Sequence, residues 1–529
     1  MSKKRRVLNR AALDQPAVRL GRLLVVVPPS YRVLRAAGLA ASLLGAACSH
    51  DWDDYDPRLG GGASATATTG SGGAPSAGGA GGAGTGAHGG AGAAGGGGSG
   101  AAGPVVWSKS FGDDAPVQHG HRVATSVAGD VYVTGDFDGT IDFGGGALAS
   151  NGGTDVFLAK LGPDGTYAWA HSFGDGLEER AHGLAVRPNG DVVLTGRFQG
   201  TIDFGGQPLV SAGDSDAFLA IFDASGAHLC STRFGGTASD MGADVAAEED
   251  GDIVLVGMFQ GSMQLGATMV TSGGARDAFF ARLGGCSLFQ SGTFPGAGGD
   301  FVWSVASIGG SQMIFGMDSD GTLDFGGGAL QSAGEDDVFV PRLAGDGSHV
   351  WSRRFGDVMS QWAPHVAVSS AEGVLGAASF AGVLDMGPAG AVTSAGMMDA
   401  YVFLLDGSGN PVWVRGYGDA AMQRAEEIDV DPSGRVLVVG RAEGTTDFGG
   451  GPKPSGGGED AFVLVLDEDG EHVLSLVAGD AGQQSAWGIA ADTSGNAFFT
   501  GEFEGVLDLG AGPMTSNGGA DVFVAKLKL

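Results

Sequence analysis

One unit of about sixty residues returns through most of this chain. It is clearest at Val131–Leu161, VYVTGDFDGTIDFGGGALASNGGTDVFLAKL. The Asp that opens its last apolar run recurs as Asp155, Asp216, Asp277, Asp337, Asp399, Asp460 and Asp521, at steps of 61, 61, 60, 62, 61 and 61 residues. So constant a period requires repeated supersecondary units that bury one another's faces, because a single irregular core would not maintain it.

The second unit shows the elements of the repeat. Leu184–Val186 is a short apolar strand, and Pro188-Asn189-Gly190-Asp191 reads as a turn with Gly in the left-handed position. Val192–Phe198 alternates as a strand does, and Thr201–Ser211 is a Gly-punctuated connection. Asp216–Phe222 and His228–Phe234 supply two more strands around an Ala224-Ser225-Gly226 turn. Four antiparallel strands per unit, repeated with turn signals, predict β-propeller blades. Trp107–Phe111 is a fourth strand without its first three, and Asp521–Leu527 is a third strand without its fourth. Together they complete one blade. The expected fold is therefore an all-β, seven-bladed propeller over 105–529, with no free sheet edge.

The pattern G-x-F-x-G-x-x-D-F-G at Gly135–Gly144, followed by Asp155–Leu161, resembles the bacterial SBBP β-propeller repeat. The resemblance runs from Val105 to Leu529. It implies a propeller in exported or cell-surface proteins and implies no activity. Units three and five depart from the pattern at Gln264 and at Phe380-Ala381-Gly382, so irregular blades are expected there.

Charge divides the chain. Nine of the 29 Lys/Arg and one of the 60 acidic residues lie in 1–47, which leaves 20 basic against 59 acidic residues beyond. A body this acidic repels phosphate backbones, so nucleic acid is excluded as a partner. Residues 1–47 have a basic front and the apolar run AAGLAASLLGAA, the pattern of a signal peptide. Leu44-Gly45-Ala46-Ala47-Cys48 resembles the lipobox of bacterial lipoproteins, with Gly45 where that family prefers Leu. The expectation is acylation of Cys48 and a membrane partner through the lipid, with ordinary secretion as the alternative. Residues 48–104 form a tether, since Leu59–Gly103 holds 21 Gly in 45 residues and has little to bury. The expected location is the cell envelope, at the outer membrane or cell surface, for a monomeric head that meets an envelope protein or glycan.

The seven Asp before the third strands, and the second set beginning at Asp142 and Asp203, are expected to lock their own Gly-rich loops. Positions that vary while their surroundings repeat are better site candidates. Just before each first strand, at the channel mouth, lie His121, His182, Trp303, Glu426 and Trp487, with His365 and Glu427 one place on. Aromatics, imidazoles and carboxylates in one rim are what ligand sites use. The His are expected to meet only across the channel, so no metal site and no cofactor are assigned beyond weak divalent-cation binding. No catalytic motif is present, which favours a binding or scaffolding module; a propeller hydrolase or lyase with its site at the mouth is the alternative. Cys230 and Cys286 fall in or near the fourth strands of neighbouring blades, where the strands diverge. Two free thiols are expected, and an export compartment permits a disulfide as the alternative.

Overall fold

A computed structural model describes residues 104–529. The signal segment at 1–47, Cys48 and nearly all of the tether lie outside the described residues. Seven four-stranded antiparallel units follow one another. Blade 1 is Gln118–Thr125, Val131–Phe137, Asp155–Leu161 and Tyr167–Phe173, and blade 2 is Glu179–Val186, Val192–Phe198, Asp216–Phe222 and His228–Gly236. Blades 3 to 6 begin at Asp240, Asp300, His365 and Gln423. Blade 7 consists of Gln484–Ala491, Asn496–Phe503 and Asp521–Lys528, with Val105–Phe111 as its outer strand. The N-terminal strand therefore closes the ring, pairing Ser108 with Ala525 and Phe111 with Val522.

The burial pattern explains why each strand has its composition. Second and third strands lie between two neighbouring blades, so both faces are covered and both alternating sets are apolar. Ile253–Phe259 and Asp460–Leu466 are buried at every position. Each core cluster joins two blades, as where Val131, Val133 and Phe157 of blade 1 pack with Phe498, Val522 and Val524 of blade 7. A fully buried Phe such as Phe218 contributes about 2–3 kcal/mol relative to an exposed one. Fourth strands face solvent and are mixed in character, as in Tyr167–Phe173.

The repeated Asp residues do lock their loops. Asp216 accepts the Ala212 N–H at 2.8 Å, Asp337 that of Ala333 at 2.7 Å and Asp460 that of Gly456 at 2.7 Å. The second set caps tight turns, as when Asp142 accepts from Gly144 at 2.7 Å and Gly146 at 3.0 Å. Units three and five are irregular, as expected. The ribbon at Ser262–Leu265, which contains Gln264, extends onto the outer strand of blade 2, and blade 5 has a first strand of only four residues, His365–Val368.

Two expectations need correction. First strands start earlier than the apolar runs suggest: Glu179–Val186 replaces Leu184–Val186. The sulfurs of Cys230 and Cys286 form a disulfide, with Cα atoms 6.1 Å apart, and are not free thiols. The reason is a contact that the blades share. The fourth-strand residue four places before the terminal aromatic reaches the next blade's hairpin turn. Trp107, Trp169, Trp351 and Trp413 donate their indole N–H to Pro163, Ala224, Gly407 and Glu468 carbonyls at 3.1–3.3 Å, across 55 or 56 residues. Cys230 holds that same position, and Cys286 lies 56 residues on, in the turn. Outer strands diverge from one another, but each meets the hairpin beside it. The turn glycine is required there: Gly226 has φ 86°, and a Cβ on it would come within 2.9 Å of the Trp169 ring.

Candidate functional site

The variable positions belong to strands and not to loops. His121, His182, Ala243, Trp303, Glu426 and Trp487 are each the extra residue of a β-bulge in a first strand. Blade 5 has no such bulge; Pro364 stands just ahead of the strand that His365 opens. A bulge adds one residue and re-aims the next, so two side-chain layers arise at one end of the propeller.

The bulge residues make the outer layer. Three consecutive blades bring Trp487, His121 and His182 side by side, with ring centroids 6.3 Å and 6.4 Å apart. Arg441 lies over the Trp487 ring at 4.9 Å and bonds Glu426 at 3.1 Å and Glu459 at 2.8 Å. Trp303 stacks on Phe301 at 6.3 Å, and Arg276 covers the Phe301 ring. Trp362 of the neighbouring loop carries Arg424 over its face at 4.6 Å. Trp303 and Glu426 are half-buried, whereas His121, His182 and Trp487 are buried.

The residues one place on make the inner layer. Arg122 meets Glu427 at 3.2 Å, and Glu427 meets His365 at 3.4 Å, which links blades 1, 6 and 5 across the axis. Asp244 accepts the Val305 N–H at 2.9 Å, and Ser304 accepts that of Val366 at 3.1 Å. Gly183 and Gly488 occupy this layer because a Cβ there would lie 2.8 Å from Asp244 Cα and 2.9 Å from Arg122 Cα. Burial works against ionisation of Glu427, but His365 and Arg122 outweigh it and hold its carboxyl below the usual range. Burial, opposed by Arg122, raises Asp244 to about 6.

His121 and His182 are neighbours on adjacent blades and do not face one another across the axis, as the sequence alone suggested. His121 Nε2 stands 2.9 Å from Asp136, and His119 Nε2 stands 3.1 Å from Glu502. Burial disfavours the charged His119, but Glu502 and Asp136 overcome it and raise its pKa. His182 is held well below the usual imidazole range by burial and then by Arg197, so it is neutral near pH 7. Asp136 and Glu502 were missed from sequence. Both are the penultimate residue of a second strand, where the blades carry Asp136, Arg197, Met258, Asp318, Ser379, Arg441 and Glu502. Variation at that position, inside a run that otherwise repeats, was the available clue.

No family model matches the chain, and no curated protein sequence matches it. Among solved structures, it is similar to a polysaccharide lyase, an ulvanlyase, at 13% identity over 78% of this chain and 97% of that one, with a TM-score of 0.41. It is also similar to the β-propeller domain of the Trilobed protease from Pyrococcus furiosus at 9% identity, over 78% of this chain and 97% of that one, TM-score 0.38. A chain of the mitotic checkpoint complex aligns at 10% identity over 80% of this chain and 91% of that one, TM-score 0.41.

Proposed function

We propose that this protein is an exported β-propeller, anchored at the cell envelope through Cys48, that binds an envelope glycan at its bulge layer. The observation that supports this most is the contrast between a uniform scaffold and one non-uniform layer. The blades repeat their core, turns and Asp locks, yet the six bulges carry His twice, Trp twice, Ala and Glu. A structural ring has no need of that variety. Half-buried Trp303 and Trp362, with carboxylates and imidazoles between blades, suit a sugar face and its hydroxyls: apolar platforms carry most of the contact and a few polar groups fix orientation. The inner ion pairs of Arg122, Glu427 and His365 bridge the blades beneath the bulge layer, and ligand approach is taken from the mouth.

The basic front, the short apolar run and the small residues before Cys48 support export and acylation, and the SBBP-like repeat supports a surface location. Metabolic labelling with an acyl analogue tests the anchor. Label is expected on the wild type and absent from Cys48→Ala; equal labelling of both would refute it.

A thermal-shift screen of the full chain against peptidoglycan fragments and envelope polysaccharides tests the site. A ligand that binds only the folded state raises the melting temperature by mass action. A shift that Trp303→Ala abolishes is expected, and no shift with any glycan would turn attention to a protein partner. The alternative, a hydrolase or lyase at the mouth, is favoured by one observation, the pairing of His121 with Asp136 and of His365 with Glu427. Chain cleavage of a bound glycan, lost in His365→Ala with binding retained, would replace the binding-module reading.

A further inference from the structure

We propose that His119, His121 and Asp136 form a binding site for a divalent transition-metal ion of the zinc type, with Glu502 as the group that orients His119. The inference goes beyond the glycan reading and does not depend on it.

The placement follows from the strands. His119 and the bulge residue His121 lie on one strand, and the bulge brings their rings together, with centroids 5.8 Å apart. Asp136 is the cross-strand partner of His119. Glu502 comes from blade 7, which approaches closely because residue 120 is Gly: a Cβ there would lie 2.4 Å from Thr500 Oγ1 and 3.1 Å from the Gly501 carbonyl oxygen. Gly135 has the same role on the neighbouring strand, where a Cβ would overlap the His119 carbonyl.

The donor atoms converge. One ligand atom from each of the three residues falls within a set no wider than 4.8 Å. The approaches to Asp136 are 3.5 Å from His119 Nδ1 and 2.9 Å from His121 Nε2. Tetrahedral bonds of about 2.0–2.1 Å to nitrogen or oxygen place donors roughly 3.3 Å apart, close to both approaches to the Asp136 carboxylate. His119 Nδ1 and both oxygens of Asp136 are buried without a hydrogen bond of good geometry. Asp136 is 0% exposed and His119 4%, which makes orphaned donors there costly. A cation held by His119 Nδ1 and one Asp136 oxygen would satisfy two of these atoms at once.

The second layer completes the argument. With Nδ1 on the metal, His119 keeps its proton on Nε2 and donates it to Glu502, 3.1 Å away. That carboxylate–imidazole–metal arrangement fixes the tautomer and strengthens the ligand. Two imidazoles and one carboxylate suit zinc or its first-row neighbours better than calcium or magnesium, which prefer oxygen alone. Three protein ligands leave one position for water or for an oxygen of a bound molecule.

The test is titration of the metal-stripped full chain with Co2+, followed by the ligand-field absorption of the bound ion, and with Zn2+ by calorimetry. One equivalent should bind, with the intense visible bands of tetrahedral cobalt. His121→Ala and Asp136→Asn should abolish the bands. Glu502→Gln should retain them with affinity lowered about 10–100-fold, the usual loss for an orienting partner. His171→Ala, outside the cluster, should bind as the wild type does. Circular dichroism identifies any variant that fails to fold, and a Zn2+-dependent rise in the wild-type melting temperature supplies the same answer without a variant. No binding by the folded wild type, or cobalt bands unaltered in His121→Ala, would overturn the site. Glycan binding measured on the stripped protein separates the two readings: if it persists without metal uptake, only the metal site fails.

Discussion

Three blades open their first strand with Gln and three with an acid, and in blade 5 Gln361 holds the equivalent place ahead of the short first strand. Gln361 accepts the Asp357 N–H at 3.0 Å and donates to Asp357 at 3.0 Å and to the Ala381 carbonyl at 2.9 Å. Glu179 accepts the Asp175 N–H at 3.1 Å in the same way but, when ionised, has nothing to donate. Burial therefore raises its pKa to about 8, with Asp175 and Asp155 adding repulsion. Burial likewise raises Asp240 and Asp300 to about 7. A raised native pKa means that the folded state holds more protons than the unfolded one between about pH 4.5 and about 8. Stability contributed by the protonated acid is present at low pH and is lost as pH rises through that window. Glu179→Gln should stabilise the protein near pH 8, by on the order of 1–3 kcal/mol, and leave it nearly unchanged near pH 4. Denaturant melts at the two pH values check this, and an equal effect at both would contradict it. At this scale the sequence was legible where it repeats: the Asp locks were readable because each copy has its Gly-rich loop beside it. His119 and Asp136 were not, because their meeting depends on cross-strand register and on the approach of blade 7, which no local pattern encodes.

Neighbouring elements are latched by one recurring contact, an outer-strand side chain against the next blade's hairpin. Four blades use Trp and one uses the Cys230–Cys286 bond. Replacing both cysteines by Ser should cost about 2–4 kcal/mol, the range for a native cross-link of this kind. Trp351→Ala should cost about 3–5 kcal/mol, since it removes a buried ring as well as its hydrogen bond. Thermal or chemical denaturation under oxidising and reducing conditions measures both; a reductant that lowers the stability of the Cys-to-Ser variant as much as that of the wild type would contradict the first. Strand divergence alone argues against the bond, whereas the 56-residue separation, which matches the Trp latches, argues for it. The bulges were missed for a related reason. Strand starts were inferred from apolar runs, and the polar residues at the mouth end of each first strand hide its true beginning.

The whole molecule is a ring closed by Val105–Phe111 on Asp521–Lys528. Closure was readable from the two partial units, because together they make one blade. Shortening the chain to remove 105–111 should expose the edge of Asp521–Lys528 and the Phe498 and Val522 face, and promote self-association. Light scattering would show it, and a shortened protein that stays monomeric with unchanged melting would contradict ring closure as a source of stability. The ring also explains how the variable positions gather. Seven first strands converge on one axis, so single-residue variation that is dispersed along 400-odd residues of sequence becomes one continuous layer in space.

The most direct test of that layer is the ligand-induced melting shift of two variants measured side by side. Trp303→Ala alters the mouth, and Phe289→Ala alters an exposed outer strand, where Phe289 is 55% accessible. The glycan that shifts the wild type should shift Phe289→Ala equally and should leave Trp303→Ala unmoved. Loss of the shift in Phe289→Ala, with Trp303→Ala responding as the wild type does, would place binding on the propeller's circumference and contradict the account.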